Sequence, residues 1–112
     1  MLFLAGRNLL RNSLLVQLYN DLFTYGYEFC VSIDYNVPEC SRIEIIAALY
    51  YLFERRWIFF NIEQDKTVSA YIRGSGIDIV EDLLSEGGEL FLSQLYGNLL
   101  KRVSEPQVGG NA

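Results

Sequence analysis

The spacing of apolar residues divides the chain into helical and extended segments. Over residues 8–23, leucines recur at three- and four-residue steps while polar side chains mostly take the other face, which predicts an amphipathic helix. Over residues 27–35, apolar and polar residues alternate strictly, and this pattern is typical of a β-strand. The chain therefore begins with a helix followed by a strand, which Asn36 and Pro38 end.

A second helix follows, and its start has two alternatives. Pro38 can occupy the first turn, with Glu39 near the positive end of the helix dipole. Ser41 can instead cap the helix, with Glu44 completing a capping box. The helix carries two apolar stripes: the first is Ile43, Ile46, Ala47, Tyr50 and Phe53, and the second is Ile45, Leu49 and Leu52. Such a helix must pack on more than one side, either inside the domain or against a partner.

The next segment predicts a β-hairpin. Residues 57–62 and 67–73 alternate as two strands, and Trp57, Phe59 and Tyr71 share an aromatic outer face. Base stacking is one use of such a face, and covering a dimer or partner interface is the commoner use.

Glycines divide the C-terminal part of the chain. Residues 74–76, Gly-Ser-Gly, predict a turn into a short helix that the glycines at 87–88 end. Residues 89–103 predict a last helix, and residues 104–112 a disordered tail. Four residues of the last helix approach coiled-coil spacing and are the expected homodimer seam: Leu92, Leu95, Tyr96 and Leu99.

Length and composition limit the possible classes of protein. The 112 residues, of which 51% are apolar, suffice for a single domain over residues 1–103. No apolar run reaches the length of a membrane helix and no secretory signal is present, so we expect a cytoplasmic protein that does not enter a membrane. Cys30 and Cys40 stand ten residues apart in a chain without histidine, which predicts reduced thiols and no metal site.

The net charge of −5 is spread unevenly. Residues 1–73 hold seven basic and eight acidic side chains, whereas residues 74–112 hold two and six. Because phosphate neutralisation supplies most non-specific affinity for nucleic acid, this acidic balance lowers the expectation of DNA binding unless a local basic patch exists.

One family resemblance accompanies these patterns. The stretch YIRGSGIDIVED at residues 71–82 resembles the end of the wing and the following helix in small winged-helix proteins, many of them from phages and prophages. The positions that match are Gly76, Ile77, Asp78, Val80 and Glu81. Upstream, AALYYLFERRWIFF is similar to the family's recognition helix passing into its first wing strand. The resemblance covers residues 42–86.

The resemblance implies a fold class and a function. Combined with the elements that the apolar patterns predict, the expected fold is α+β and winged-helix-like, in the order α-β-α-β-β-α-α, with a small antiparallel sheet and a C-terminal helix. The function is that of a regulator of transcription that binds double-stranded DNA as a homodimer. The chain departs from the family at Arg56, where a helix-closing glycine is usual, and at Arg73, where a capping threonine is usual. Residues 24–37 form either a strand or a reduced second helix of the helix-turn-helix.

Six residues are the candidates for contact with DNA. Ser41 and Arg42 begin the recognition helix, whose N-terminal residues reach base edges in this motif. The other candidates for phosphate contact are Arg55, Arg56, Lys66 and Arg73. The competing interpretation of Arg55 and Arg56 is an exposed ion pair with Glu54, a type of contact worth about 0–1 kcal/mol.

The alternative function is protein binding, as a viral adaptor or an inhibitor of a host defence complex in the host cytoplasm. It would use the second apolar stripe and an acidic surface that fits a basic protein partner: Asp78, Glu81, Asp82 and Glu86. A continuous positive surface around the wing and the start of the recognition helix would favour DNA, and a broken one would favour a protein. Catalysis has no support, because the chain lacks histidine, a nucleophile motif and a phosphate-binding loop, so we expect no enzyme and no cofactor.

Overall fold

Three helices and four strands make up the described part of the computed structural model, which covers residues 4–26, 31–33, 41–64, 67–88, 95 and 99–102. They form a small α+β domain with an antiparallel sheet. In chain order the elements are α1 (Leu4–Tyr25), β1 (Val31–Ile33), α2 (Arg42–Glu54), β2 (Ile58–Ile62), β3 (Val68–Ile72), α3 (Gly74–Ser85) and β4 (Leu100–Arg102).

Helix α1 supplies one side of the core, as its leucine spacing predicted. Leu10, Leu14, Leu15 and Leu18 are all buried against α2, α3 and the sheet. The helix ends at Gly26, whose φ of +83° suits glycine and whose N–H donates to the Leu22 carbonyl at 2.9 Å. No helix in the described ranges is long and apolar enough to cross a membrane.

The predicted hairpin is confirmed as β2 and β3. The two strands pair antiparallel from Ile58 opposite Ile72 to Ile62 opposite Val68. Ile58, Val68 and Ile72 are fully buried, so this face of the hairpin covers the core. The predicted outer face is confirmed for Phe59 and Tyr71, which stand opposite each other and stack at a centroid distance of 5.1 Å, whereas Trp57 is half-buried against the core.

The sheet is larger than the hairpin, with the strand order β2-β3-β1-β4. The predicted strand over residues 27–35 is confirmed at Val31–Ile33, and the rest of that segment lies outside the described residues. β1 pairs antiparallel with β3 on one side and with β4 on the other. This pairing places two segments that are distant in sequence beside the hairpin.

The prediction of a helix through residue 103 is wrong at its C-terminal end, because Leu100–Arg102 form strand β4. The side chain of Gln17 on α1 holds this strand: its Oε1 accepts the Leu99 and Leu100 amides at 2.9 and 3.1 Å, and its Nε2 donates to the Leu100 carbonyl. Such long-range bonds override the local helical pattern. Residues 89–94, 96–98 and the tail at 104–112 lie outside the described residues.

The predicted Gly-Ser-Gly turn is also wrong, because Gly74, Ser75 and Gly76 form the first turn of α3. Gly76 is buried against the hairpin: a Cβ built there would lie 2.3 Å from the Trp57 carbonyl oxygen and 2.8 Å from Ile72 Cγ1. The end of α3 was predicted correctly, since Glu86 is its C-cap and Gly87 follows with φ +138°.

The close approach at Gly76 gives a paired test of the fold. Gly76→Ala should lower the free energy of unfolding by about 2–3 kcal/mol, since the Trp57 backbone must move to admit a methyl group. Gly74→Ala is the control, because a Cβ there meets nothing within 4 Å, and it should leave stability unchanged or raise it by up to about 1 kcal/mol. Urea denaturation measures both. Equal stability of the two variants would contradict the assigned contact.

Candidate interaction surface on helix α2

Ser41 starts helix α2, which decides between the two predicted starts. Its backbone is extended and its hydroxyl accepts the Glu44 amide at 3.2 Å. Pro38 and Glu39 lie outside the described residues. The helix then runs for 13 residues and buries one side, formed by Ile45, Ala48, Leu49 and Leu52.

The two apolar stripes of α2 have different surroundings. The second stripe, Ile45, Leu49 and Leu52, lies in the core, so the expectation that it would bind a partner is wrong. The first stripe faces outward in part: Ile43 is 81% exposed and Tyr50 is 50% exposed. Ala47, between them, is also exposed. Ile43, Ala47 and Tyr50, spaced i, i+4 and i+7, are called the outer stripe here.

Aromatic rings widen the outer stripe toward the hairpin. Tyr50 packs edge-on against Phe60 of β2 at a centroid distance of 4.9 Å, and Phe53 lies 6.5 Å from the same ring. Phe53 and, near the hairpin end, Ile62 are 36% and 38% exposed. An aromatic side chain offers about 150–250 Å², so the exposed parts of Tyr50, Tyr51 and Phe53 amount to roughly 250 Å². With Ile43 and Ala47 added, the patch falls in the size range of the largest apolar patch on a typical monomer, which is often functional.

A cleft of about 330 Å³ lies beside the outer stripe, between α1 and α2. Its apolar lining is Leu10 of α1 with Ile43, Ala47 and Ala48 of α2, and its charged lining is Arg7, Arg11 and Glu44. The Arg11 guanidinium stands 3.8 Å from the Tyr51 ring centroid, within the range of a cation–π contact. The cleft therefore combines an apolar lining with a rim that carries two cations and one carboxylate.

The predicted DNA-contacting residues fall into two groups. Ser41 and Arg42 lie at the start of α2, where the Ser41 hydroxyl is engaged in the cap. Arg55, Arg56 and Arg73 lie at the other end. Arg42 and Glu54 are twelve residue steps apart along the helix, a distance of about 18 Å, and the outer stripe occupies the exposed surface between them. Lys66 lies outside the described residues.

Arg56 and Arg73 line one hollow of about 460 Å³ with Phe53 and Glu54. Arg56 adopts φ +64°, the left-handed conformation for which glycine is the usual residue. Arg73 is the N-cap residue of α3 and its side chain makes no cap hydrogen bond. Of the six predicted DNA-contacting residues, the structure thus places Arg56 and Arg73 around one hollow.

The alternative interpretation of Arg55 and Arg56 as ion-pair partners of Glu54 does not describe their contacts. Within the described ranges, neither arginine lies within salt-bridge distance of Glu54. Arg55 instead stands over the Trp57 ring, with 5.1 Å between the guanidinium carbon and the ring centroid.

The acidic residues Asp78, Glu81, Asp82 and Glu86 are exposed on α3 and its C-cap, as predicted from their spacing. Glu81 also holds α3 to α1, because Tyr19 Oη donates to its Oε2 at 2.9 Å. This hydrogen bond, with smaller effects of desolvation and of the carboxylate charge, raises the pKa of Tyr19 above 10.0. One member of the acidic set therefore has a structural contact.

Two residues of the predicted dimer seam lie in or against the core of the domain. Leu99 is 1% exposed and belongs to the core, and Leu95 is partly buried against the same core. Leu92 and Tyr96 lie outside the described residues, as do Cys30 and Cys40. In the part of the chain that the structure describes, no three metal-ligating side chains lie close enough together to hold an ion.

Sequence reasoning missed the cleft. Arg7 and Arg11 stand one helical turn apart, a visible signal, but their position opposite Ala47 and Ala48 depends on how α1 packs on α2. The outer stripe was visible as an apolar repeat, and only the packing decides which of the two repeats faces outward.

Comparisons with known proteins add no relative. The chain matches no protein-family model, and searches of the curated proteins and of the solved structures found no match. The inference of function therefore starts from the side chains and their contacts.

The Tyr19–Glu81 contact makes the free energy of unfolding depend on pH in the alkaline range. A raised folded-state pKa means that the contact stabilises the protein fully below pH 10 and that this contribution is lost as pH rises through the folded-state pKa of Tyr19. Glu81→Gln should therefore lower stability relative to the parent protein at neutral pH, and the difference should narrow above pH 10. Urea denaturation across this pH range measures it.

Tyr19→Phe supplies the control for that titration. In the Tyr19→Phe protein, Glu81→Gln should change the free energy of unfolding by the same amount below and above pH 10, because the titrating hydroxyl is gone. A difference between parent and Glu81→Gln that stays constant through the alkaline range would contradict the raised pKa.

Proposed function

We propose that this protein is a protein-interaction module that binds its partner through the outer stripe of α2. The observation that carries the proposal is an exposed apolar stripe on a helix that already has a separate, complete core face. Ile43 is 81% exposed while Ile45, two residues later, is fully buried. Large exposed apolar side chains grouped in one patch are typical of binding surfaces, whereas scattered ones are not.

The side chains that α2 exposes support a protein partner over DNA. A helix that reads DNA offers polar side chains to base edges and is accompanied by cations at the phosphates. The exposed surface of α2 offers Ile43, Ala47 and Tyr50 in the middle. The cations nearest to it in sequence lie at its two ends, and Arg7 and Arg11 of α1 flank it across the cleft. The middle of α2 therefore offers apolar side chains at the point where a groove-binding helix would offer polar ones.

The fold is proposed to be a winged-helix-like module with its central helix used for protein contact. In support, α2 passes through a tight turn into the β2–β3 hairpin, which leads directly into α3. Arg56 takes the left-handed conformation at the position where the resembled family has glycine. A viral adaptor or an inhibitor of a host defence complex, acting in the host cytoplasm with no catalytic role, is the biological setting that we propose.

Site-specific photo-crosslinking tests the proposed surface. A benzophenone amino acid at position 50 should give a discrete covalent adduct with a partner in cells, because this position lies at the centre of the patch. The same amino acid at Asp82, exposed on α3, is the matched control and should give none. Adding Ala47→Arg should abolish the adduct at position 50, since it places a charge within the outer stripe without touching the core.

Adduct formation only at position 82 would move the binding site to the acidic surface and contradict the proposal. An adduct at position 50 that survives Ala47→Arg would also count against the outer stripe. The purified adduct partner must then bind the free protein, and that binding must show the same sensitivity to Ala47→Arg.

DNA binding is the second candidate, favoured by one observation. Arg56 and Arg73 line the same hollow at the junction of α2, the hairpin and α3. Their guanidinium groups are exposed, and within the described ranges neither has a carboxylate within salt-bridge distance. Two such arginines can contact neighbouring phosphates.

Duplex DNA titrations at two salt concentrations test the second candidate. A phosphate-binding role predicts that Arg56→Ala and Arg73→Ala each weaken binding about equally across sequences and reduce the salt slope by about 1. Arg7→Ala, which removes a cation that does not line this hollow, is the charge-matched control. Undetectable binding at low salt, or equal effects of all three changes, would exclude this use of the hollow.

A further inference from the structure

We infer that the cleft between α1 and α2 takes an apolar anchor residue and an adjacent carboxylate from an acidic amphipathic helix of a partner protein. This inference rests on the proposed function, because the cleft adjoins the outer stripe and shares Ile43 and Ala47 with it. It adds the chemical class of the partner. The side chains that select it are the alanines of the cleft and the arginines of its rim.

Small side chains create the cleft. Ala47 and Ala48 on α2 face Leu10 on α1, and Leu10 and Ala48 are 1% and 5% exposed, so they form an apolar floor. The volume of about 330 Å³ is at the lower end of the range for ligand pockets and admits one large side chain. A partner leucine or phenylalanine would bury its apolar surface there.

The charge on the rim selects the residue beside that anchor. Arg7 is exposed and one helical turn from Arg11, and no carboxylate among the described residues lies within salt-bridge distance of either arginine. Arg11 is held by the Tyr51 ring and, more weakly, by Asn8 Oδ1 at 3.5 Å. Glu44 is half-buried on the opposite wall and reduces the net charge of the cleft to +1. A carboxylate that reaches Arg7 gains a charge-assisted hydrogen bond.

The length of the apolar surface favours a helix over a small molecule. The outer stripe runs from Ile43 to Tyr50, seven residues or about 10 Å, and Tyr50 lies about one helical turn past Ala47, outside the cleft. A single fatty acid or similar ligand in the cleft would leave Tyr50 exposed. A helix with apolar residues at i, i+3, i+4 and i+7 covers both the cleft and the stripe.

A second copy of the chain fits the cleft less well. Its carboxylates are concentrated on α3, at Asp78, Glu81 and Asp82. The neighbouring apolar residues, Ile77 and Ile79, are packed against the core of their own domain. The acidic helix of a second copy therefore presents charge without an exposed anchor residue.

Two labelled peptides test the inference by fluorescence anisotropy. Both are 18-residue amphipathic helices with leucine at i, i+3, i+4 and i+7, and they differ only in carrying glutamate or lysine beside the leucines. The glutamate peptide should bind the full-length protein at least tenfold more tightly, and this preference should shrink as salt is raised.

Three variants assign the preference to the cleft. Arg7→Glu should abolish or invert the preference for glutamate, because it reverses the exposed charge on the rim. Arg73→Glu makes the same charge change at the other end of the domain and should leave the preference intact. Ala47→Leu should weaken both peptides at least tenfold, because it fills the cleft with an apolar side chain at unchanged charge.

Four results would overturn the inference. Equal binding of the two peptides, binding of neither, or a preference that Arg7→Glu leaves intact would overturn the inference. Sedimentation of the protein alone is run in parallel, and a dimer that Ala47→Leu dissociates would assign the cleft to a second copy and overturn it as well. If the crosslink at position 50 forms while the peptides show no preference, the inference fails and the proposed function stands.

Discussion

The arrangement of the domain depends on one junction, at the Trp57 backbone, where α2, the hairpin and α3 meet. The Trp57 amide donates to the Leu52 carbonyl at 3.1 Å, which closes the end of α2. Its carbonyl accepts the Arg73 amide at 2.8 Å, which aligns the hairpin, and Gly76 packs directly against that carbonyl. Because a buried backbone group without a partner is costly, these contacts leave little freedom in the angle between α2 and the sheet.

The outer stripe is a consequence of that fixed angle. With Leu52 and Ile58 buried together on one side of the junction, the helical period places Ile43, Ala47 and Tyr50 on the opposite side. The same geometry brings the alanines of α2 against α1 and opens the cleft beneath Arg7. Apolar side chains exposed in this way contribute little to folding, which is why we propose that they serve binding.

Local sequence patterns predicted α1 and the hairpin, whereas long-range contacts determine strand β4 and which side of α2 faces outward. The hairpin follows from an apolar repeat of two residues and α1 from an apolar repeat of about 3.6 residues. Each repeat is visible within its own segment of the sequence. Strand β4 could not be predicted, because the side chain that holds its start, at Leu99 and Leu100, is Gln17, more than 80 residues away in sequence. The two stripes of α2 were both apolar, so their sequence gave no basis for choosing which faces the core. The cleft depends on that choice and was missed with it.

The most direct test of the account asks whether the outer stripe is needed for folding. The double variant Ile43→Gln, Ala47→Gln is compared with Leu49→Gln on the buried side of the same helix by urea denaturation. The account predicts that the double variant unfolds within about 0.5 kcal/mol of the parent protein, since both side chains are exposed. Leu49→Gln should lose at least about 3 kcal/mol. A loss of that size in the double variant would show that the stripe belongs to the core and would contradict its assignment as a binding surface.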